Sequence, residues 1–317
     1  MRVLLIGEPM GLFMAEEPGP LSGARRFTAS VAGAEYNVAV GLARLGHTPV
    51  YCTRLGRDPM GQRILDSMAA NRIDTALVAE TDEQPTGLML KGSTSEGDPE
   101  IAYYRQGSAA SRMAPRDVDR LDMSGIDWLH VTGIFPAVSE SAMSAAVRLL
   151  DRAAALDIPV SFDPNLRPQL WPDEGTMVKS LNRLAGYARV VLPGIGEGKT
   201  LTGRSGEREI AGYYHALGAA AVIVKLGGSG AYYSSASGES GYAPGIEVEK
   251  TVDTVGAGDG FAVGVISALI EGLPLSEAAK RGNAIGAIQI SHKSDNEGLP
   301  TREELEAVLA AGKVAAG

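Results

Sequence analysis

Short apolar runs alternate with longer amphipathic segments along most of this chain. The apolar runs are bounded by turn residues and have the length of buried strands: VLLIG, PVYCTRLG, DWLHVTG, PVSFD, ARVVLPG and AAVIVKLGG. The segments between them have helical spacing of apolar positions: YNVAVGLARLG, GQRILDSMAANR, SAMSAAVRLLDRAAAL and EREIAGYYHALG. Strands that alternate with helices predict an α/β fold, a parallel sheet covered on both faces. Ligands of such sheets bind beyond the carboxyl ends of the strands.

Two segments interrupt this alternation. Residues 10–28 are rich in Gly and Pro, and residues 87–105 alternate like two strands around the polar turn STSEGDPE. We predict that both belong to a small β lid over the mouth of the main sheet, formed by about residues 10–30 and 86–106. The C-terminal third is mainly helical, and no long linker divides the chain, so we predict a single domain over residues 1–317.

Composition narrows the class of protein. A length of 317 residues with 44% hydrophobic and 21% charged residues is typical of a soluble globular protein. The longest apolar runs fall short of the ~20 residues of a spanning helix, and MRVLLIG is too short for a signal peptide. We therefore expect no membrane partner and a cytoplasmic location. The single cysteine, Cys52, excludes an internal disulfide and agrees with a reducing compartment.

The net charge of −9 argues against a nucleic-acid partner, because nucleic acids bind basic surfaces. A small anionic ligand is compatible with this charge, since its site needs only a few local cations.

The turn DTVGAGDGF, residues 253–261, is the strongest chemical signal in the chain. Gly256 and Gly258 let the backbone approach an anion closely, and the free N–H groups of the following helix favour negative charge. Asp259 stands at the mouth of this site, where it could take a proton from an attacking hydroxyl. The turn therefore predicts phosphoryl transfer, and the alternative is a loop that only caps a helix.

Two other glycine-rich segments resemble nucleotide-binding motifs but do not match them. PGIGEGKT ends like a phosphate-binding P-loop, but Pro193 stands where the first glycine belongs; proline fixes φ and lacks an N–H donor. GEPMG, after the first strand, lacks the glycine order of a dinucleotide site.

The chain resembles the ribokinase-like (PfkB) family of sugar kinases along nearly its whole length. DTVGAGDGF looks like the C-terminal signature of that family, and AGAEYNVA, residues 32–39, is similar to its N-terminal signature. The resemblance implies a three-layer sandwich with a central, mostly parallel sheet and a small β lid, acting as an ATP-dependent kinase with Mg²⁺. It implies Asp259 as catalytic base and a phosphoryl hole formed by the N–H groups of Gly256, Ala257 and Gly258. The residues that it implies at the sugar are Gly33, Ala34 and Asn37.

The resemblance also extends to the nucleotide and metal sites. VKLGGSGA resembles the segment that lines the nucleotide. The implied nucleotide residues are Lys225, Gly227, Gly228, Gly230, Gly256, Gly258 and Asn283. Gly194 stands where the family commonly has an asparagine, while Glu197 remains and is expected to act on Mg²⁺ through water. A monovalent cation such as K⁺ is expected near Asp253.

Two further stretches bear on the sugar. YYRQGSA, from residue 103, and FDPNLR, from residue 162, resemble stretches of 2-keto-3-deoxygluconate kinases. An acidic sugar needs a cationic partner, and Arg105 from the lid with Arg167 from the sheet edge could grip its carboxylate. A surface ion pair is the alternative for each arginine. Tyr103 and Tyr104 are also assigned to the substrate site, although they alternate along a strand, so only one should point at a ligand.

Two other functions stay open. One is a kinase for a neutral sugar such as fructose or ribose, and the other is a catalytically silent sugar-binding protein of the same fold. The lid presents strand edges that a second chain could cover, so we expect a homo-oligomer, a dimer or higher.

Overall fold

A computed structural model describes residues 1–94, 99–292 and 295–314. Within these ranges the strands are β1 Arg2–Ile6, β2 Met10–Pro18, β3 Phe27–Ala32, β4 Thr48–Gly56, β5 Val78–Thr81, β6 Leu88–Ser93, β7 Ile101–Tyr104, β8 Trp128–Thr132, β9 Val160–Asp163, β10 Val190–Val191, β11 Ala221–Lys225, β12 Gly230–Ser235, β13 Ser240–Pro244, β14 Glu247–Val248 and β15 Lys313–Val314. The helices are α1 Ala34–Arg44, α2 Pro59–Ala70, α3 Pro115–Asp119, α4 Ile134–Ala137, α5 Glu140–Ala155, α6 Glu174–Ala185, α7 Ile195–Thr202, α8 Glu207–Ala216, α9 Ala257–Ile270, α10 Leu275–Ile290 and α11 Arg302–Ala311.

The main sheet has nine strands in the order β13-β12-β11-β10-β9-β8-β1-β4-β5. All strands from β11 to β5 in this order run parallel, while β12 and β13 add an antiparallel hairpin at one edge. The parallel part follows the predicted strands. We did not predict the hairpin, whose sequence GAYYSSASGESGYAP is polar at many positions because it lies at the edge of the sheet.

The two faces of the main sheet carry separate apolar clusters. Alternate residues of β1 belong to different clusters: Leu4 and Ile6 pack with α5, α6 and α8, whereas Val3 and Leu5 pack with α1, α9 and α10. This alternation is what a pleated strand buried on both faces requires. The result is the three-layer arrangement that the sequence predicts.

A second sheet, with the order β3-β2-β6-β7, forms the lid. Strand β2 follows β1 after only three residues, so the lid continues directly from a central strand of the main sheet. Its inner side packs Met10, Leu12, Ala32 and Met89 together. Residues 95–98 of the predicted polar turn lie outside the described residues.

No helix within the described ranges has the length and apolar character needed to cross a membrane.

Candidate active site

A cavity of about 730 Å³ lies beyond the carboxyl ends of the parallel strands, where the lid covers the main sheet. We call it the substrate cavity. The lid, the loops after β1, β9 and β10, the end of β11 and the start of α9 all contribute to its lining. Most of the residues predicted at the sugar or the phosphoryl group line it: Gly33, Ala34, Asn37, Tyr103, Arg105, Arg167, Gly256, Gly258 and Asp259. Its position is that expected for a ligand site of an open parallel sheet.

The glycine turn opens into this cavity at the N-terminus of α9. Gly256 is the N-cap of the helix and has φ 81°, a left-handed conformation that favours glycine. A Cβ at this position would also lie 2.6 Å from the carbonyl oxygen of Asp295. The turn therefore depends on glycine. The Ala257 N–H makes a long hydrogen bond of 3.4 Å to the Thr254 carbonyl oxygen, which it could exchange for an anion at the start of α9.

Asp259 lies in the first turn of α9 and is only 8% exposed. Its Oδ2 accepts a hydrogen bond from Asn37 Nδ2 at 2.8 Å, and its Oδ1 accepts one from Asn165 Nδ2 at 3.3 Å. Burial raises the pKa of Asp259 to about 7, against the opposing effects of the Asn37 hydrogen bond and the Arg167 charge. A carboxyl group with this pKa can exchange a proton with a substrate near neutral pH.

Lys225 stands between the glycine turn and the sheet. Its Nζ lies 2.9 Å from both carboxylate oxygens of Asp163 and 3.9 Å from Glu197 Oε2. Burial works against a charged lysine, but the Asp163 carboxylate raises the pKa of Lys225 above its usual value. A Cβ on Gly258 would lie 3.7 Å from Lys225 Nζ, so a fixed cation faces the predicted phosphoryl hole.

The two predicted substrate arginines have different environments. Arg105 forms an ion pair with Glu8, with Nη2 2.5 Å from Oε2, and Glu8 also accepts a hydrogen bond from the Ser108 hydroxyl. Arg167 donates from Nη1 to the carbonyl oxygen of Leu166 at 2.8 Å. Among the described residues, no carboxylate lies within 4.0 Å of its guanidinium group. Arg105 thus forms an ion pair, but a buried one rather than the surface pair of the alternative, and it still lines the cavity.

The two lid tyrosines also differ. Tyr103 lines the substrate cavity, with the Arg105 guanidinium 5.8 Å from its ring centre. Tyr104 points to the other face of β7 and is 62% exposed. We therefore correct the assignment of Tyr104 to the substrate site, because the alternation of the strand directs only Tyr103 inward.

A second, more apolar cleft of about 350 Å³ adjoins the substrate cavity and shares Lys225, Thr254 and Gly258 with it. We call it the nucleotide cleft. Its lining contains the residues predicted there except Gly256, which lines the substrate cavity instead. Aliphatic and aromatic side chains complete it, so that the lining includes Gly227, Gly228, Gly230, Ile246, Val248, Ala257, Phe261, Asn283, Ala287 and Ile290. Asn283 Nδ2 donates to the carbonyl oxygens of Ala243 and Pro244 at 3.0 and 2.9 Å. An apolar cleft that ends at a helix N-terminus and a buried lysine fits a nucleotide with its phosphates at the turn.

The carboxylate of Glu197 is engaged at the start of α7. Its Oε2 accepts the N–H of Gly194 at 2.6 Å, and its Oε1 accepts the N–H of Leu166 at 2.9 Å. In the described part of the chain, no group of three or more His, Cys, Asp or Glu side chains could hold a metal ion. This donor set fits a Mg²⁺ held mainly by nucleotide phosphates and water, with Glu197 acting at a distance.

Asp253, predicted near a monovalent cation, contacts a lysine instead. Lys91 Nζ of the lid lies 2.7 Å from Asp253 Oδ2. The same ammonium group lies 2.9 Å from Asp295 Oδ1.

Several residues that line the substrate cavity were not among the predicted site residues: Glu8, Glu35, Asp163, Asn165 and Asp295. Glu35 is 1% exposed, and its Oε1 accepts the Thr132 hydroxyl at 2.5 Å; burial raises its pKa. In the sequence, Glu35 looks like an ordinary acidic residue in the first turn of a helix. Asp163 and Asn165 did carry a signal, because they belong to FDPNLR at the end of a predicted strand.

Comparison with known proteins places this geometry in context. Residues 2–302 match the family model of the pfkB family carbohydrate kinases. The chain is 45% identical over 312 residues to the 2-dehydro-3-deoxygluconokinase of Bacillus subtilis (strain 168), covering 98% of this chain and 96% of that protein. It is 30% identical over 314 residues to the 2-dehydro-3-deoxygluconokinase of Thermoproteus tenax, covering 98% and 95%.

A solved structure agrees with this match. The crystal structure of a PfkB protein from Polaromonas sp. JS666 is 46% identical and superposes with a TM-score of 0.88, covering 96% of this chain and 99% of that chain. The predicted fold class is confirmed, with a large, mostly parallel sheet and a smaller separate sheet.

Proposed function

Since the chain belongs to the pfkB family of carbohydrate kinases, we propose that it transfers the γ-phosphoryl group of ATP to the terminal hydroxyl of 2-keto-3-deoxygluconate. This sugar acid is also called 2-dehydro-3-deoxygluconate. The B. subtilis and T. tenax proteins are named 2-dehydro-3-deoxygluconokinase after it. The observation that carries the substrate class is the Arg167 cation, which faces the cavity without a carboxylate partner among the described residues.

In this proposal Asp259 is the base. It is buried, its pKa is raised to about 7, and Asn37 and Asn165 fix its orientation by hydrogen bonds. Asp259 would accept the proton of the sugar hydroxyl as that oxygen attacks phosphorus. A base of this pKa is ionised in a large fraction of molecules at neutral pH and still binds a proton well.

The charge of the transferring group would be stabilised by groups that are already in place. The N–H groups of Gly256, Ala257 and Gly258 begin α9, and Lys225 lies beside them. Bound ATP supplies the phosphoryl group, and Mg²⁺ carried by its phosphates neutralises part of their charge. The chain itself contributes donors close to the reacting group, and of these the Ala257 N–H would exchange its long hydrogen bond to the Thr254 carbonyl oxygen.

The sugar carboxylate would lie at the arginines. Arg167 is free to form a charge-assisted hydrogen bond, while Arg105 is held in place by Glu8 and can offer its remaining donors. Tyr103 would cover the sugar from the lid. A closed lid would keep out water, which competes for the same phosphoryl group.

A coupled ADP-release assay with Mg-ATP tests the proposal. The panel holds 2-keto-3-deoxygluconate, its galacto epimer, gluconate, fructose and ribose. We expect strong turnover only with the 2-keto-3-deoxy acids. Turnover confined to fructose or ribose would overturn the carboxylate assignment and leave the base in place, and binding of sugar without turnover would identify a silent sugar-binding protein.

We also propose a cytoplasmic, homo-oligomeric enzyme that binds no nucleic acid. The net charge of −9 and the single, buried Cys52 support this proposal. The outer lid strand β7 carries the exposed Tyr103 and Tyr104, and a second subunit would have reason to cover such an edge. Light scattering of the purified protein measures the number of subunits.

A further inference from the structure

A buried lysine joins the lid to the glycine turn. Lys91 lies on β6 and is 4% exposed. Its Nζ donates to Asp253 Oδ2 at 2.7 Å and to Asp295 Oδ1 at 2.9 Å. The two carboxylates lie 162 and 204 residues away in the sequence, so the ammonium group connects three distant segments.

Both carboxylates belong to segments that shape the turn. Asp253 Oδ1 accepts the N–H of Val255 at 3.0 Å, one residue before Gly256. The carbonyl oxygen of Asp295 fills the space where a Cβ of Gly256 would lie, at 2.6 Å. Lys91 therefore links two irregular segments, one at Asp253 and one at Asp295. Both segments contact the turn in which Gly256 adopts its left-handed conformation.

The charge of Lys91 is needed at this place. Asp295 is 5% exposed, and the Asp253 side chain is 12% exposed. Two carboxylates so close together in a buried site repel each other unless a cation lies between them. Burial works against a charged Lys91, but the two carboxylates raise its pKa above the usual value, so the cation persists at neutral pH.

We propose that Lys91 is a built-in cation that positions the phosphoryl-binding turn, so that this kinase needs no free monovalent cation beside Asp253. The proposal rests on the proposed kinase function but not on the identity of the sugar. It makes Lys91 a positioning residue: it acts on the turn through Asp253 and Asp295 and does not line the substrate cavity. It also replaces the K⁺ that the sequence analysis expected near Asp253.

The test compares the wild-type enzyme with Lys91→Met in chloride salts of K⁺, NH₄⁺ or tetramethylammonium at equal ionic strength. We expect the wild-type kcat to be the same in all three salts. Lys91→Met should lose roughly 10–100-fold in kcat with tetramethylammonium, because the turn is displaced, while KM for the sugar changes little. K⁺ or NH₄⁺ should restore part of this loss, since either ion is small enough to lie between the carboxylates.

Lys280→Met is the matched control, because Lys280 forms an exposed ion pair with Glu277 on α10. It should behave like the wild type in every salt. A wild-type enzyme that is strongly activated by K⁺ would overturn the proposal, and so would a Lys91→Met enzyme with unchanged kcat.

Thermal unfolding gives a second readout that needs no substrate. Lys91→Met should melt several degrees lower in tetramethylammonium than in K⁺, whereas the wild type and Lys280→Met should melt at one temperature in both salts. A wild type that is silent on the whole sugar panel would sink the proposed function, and these melting temperatures would still decide the role of Lys91. If the melting temperature of Lys91→Met does not depend on the cation, the built-in cation is refuted.

Discussion

The substrate cavity and the nucleotide cleft meet at Lys225 and Gly258, yet different kinds of residue line them. The lining of the substrate cavity includes many charged side chains from the lid and the strand ends, and all of those described above except Arg167 contact a polar or charged side chain. The nucleotide cleft is lined mainly by glycine backbone and by aliphatic and aromatic surface. We infer that selectivity for the sugar depends on single side chains, whereas binding of the nucleotide depends on the shape of the backbone.

Replacement of Asp259 should have the largest effect on the cavity side. Asp259→Asn removes the proton acceptor while keeping the size of the side chain, so we expect kcat to fall by about 10²–10⁴ with little change in either KM. Steady-state ADP release measures this loss. Asp157→Asn, an exposed change on the loop after α5, is the control and should leave kcat unchanged. Full turnover by Asp259→Asn would disprove the base assignment.

Loss of Arg167 should be the next largest effect and should fall on KM. A hydrogen bond to a charged group contributes about 1.5–3 kcal/mol, so Arg167→Ala should raise KM for the sugar acid about 10–100-fold and leave KM for Mg-ATP nearly constant. Initial rates at varied sugar and fixed Mg-ATP measure the change. An equal rise for a neutral sugar would contradict carboxylate recognition.

Arg105→Ala is a useful comparison with Arg167→Ala. It leaves the buried carboxylate of Glu8 without its ion-pair partner, so it should also lower the melting temperature. Arg167→Ala should not.

The pH dependence should be the third effect in size. A proton on Asp259 prevents it from accepting another, and its pKa is about 7. Activity should therefore be lost as the pH falls through 7, by about tenfold for each further unit. The profile of kcat/KM for the sugar between pH 5 and 9 measures this limb. A flat profile down to pH 5.5 would show that another group takes the proton.

A change in the nucleotide cleft should have the smallest effect. Asn283→Ala removes two hydrogen bonds to backbone carbonyls and one side chain beside the cleft. We expect KM for ATP to rise by no more than about fivefold, the equivalent of one neutral hydrogen bond, with KM for the sugar unchanged. If Asn283→Ala raises KM for the sugar as much as KM for ATP, the two regions do not act independently.

The sequence predicted the fold well because strand and helix periods alternate strongly from β1 to β11. The glycine turn and Asp259 could be singled out because they are contiguous in the chain, and the structure places them at the substrate cavity, while their catalytic role stays a prediction. The sequence could not predict the contact between Lys91 and Asp295. Lys91 occupies an ordinary position of an alternating strand, and Asp295 lies in an irregular segment. Their pairing depends on tertiary contacts across 204 residues, and no local pattern records such a contact.

The way in which the lid is threaded has a consequence for recombination between relatives. Strands β2 and β3 come from one stretch of chain and β6 and β7 from another, with α1, β4, α2 and β5 between them. Glu8 enters with the first stretch, whereas Arg105 and Lys91 enter with the second. In a chimera that takes only one stretch from a relative, one residue of the Glu8–Arg105 ion pair would therefore face a residue from the other protein. Transplanting the specificity of this lid requires both stretches at once, together with the carboxylates of Asp253 and Asp295 that receive Lys91.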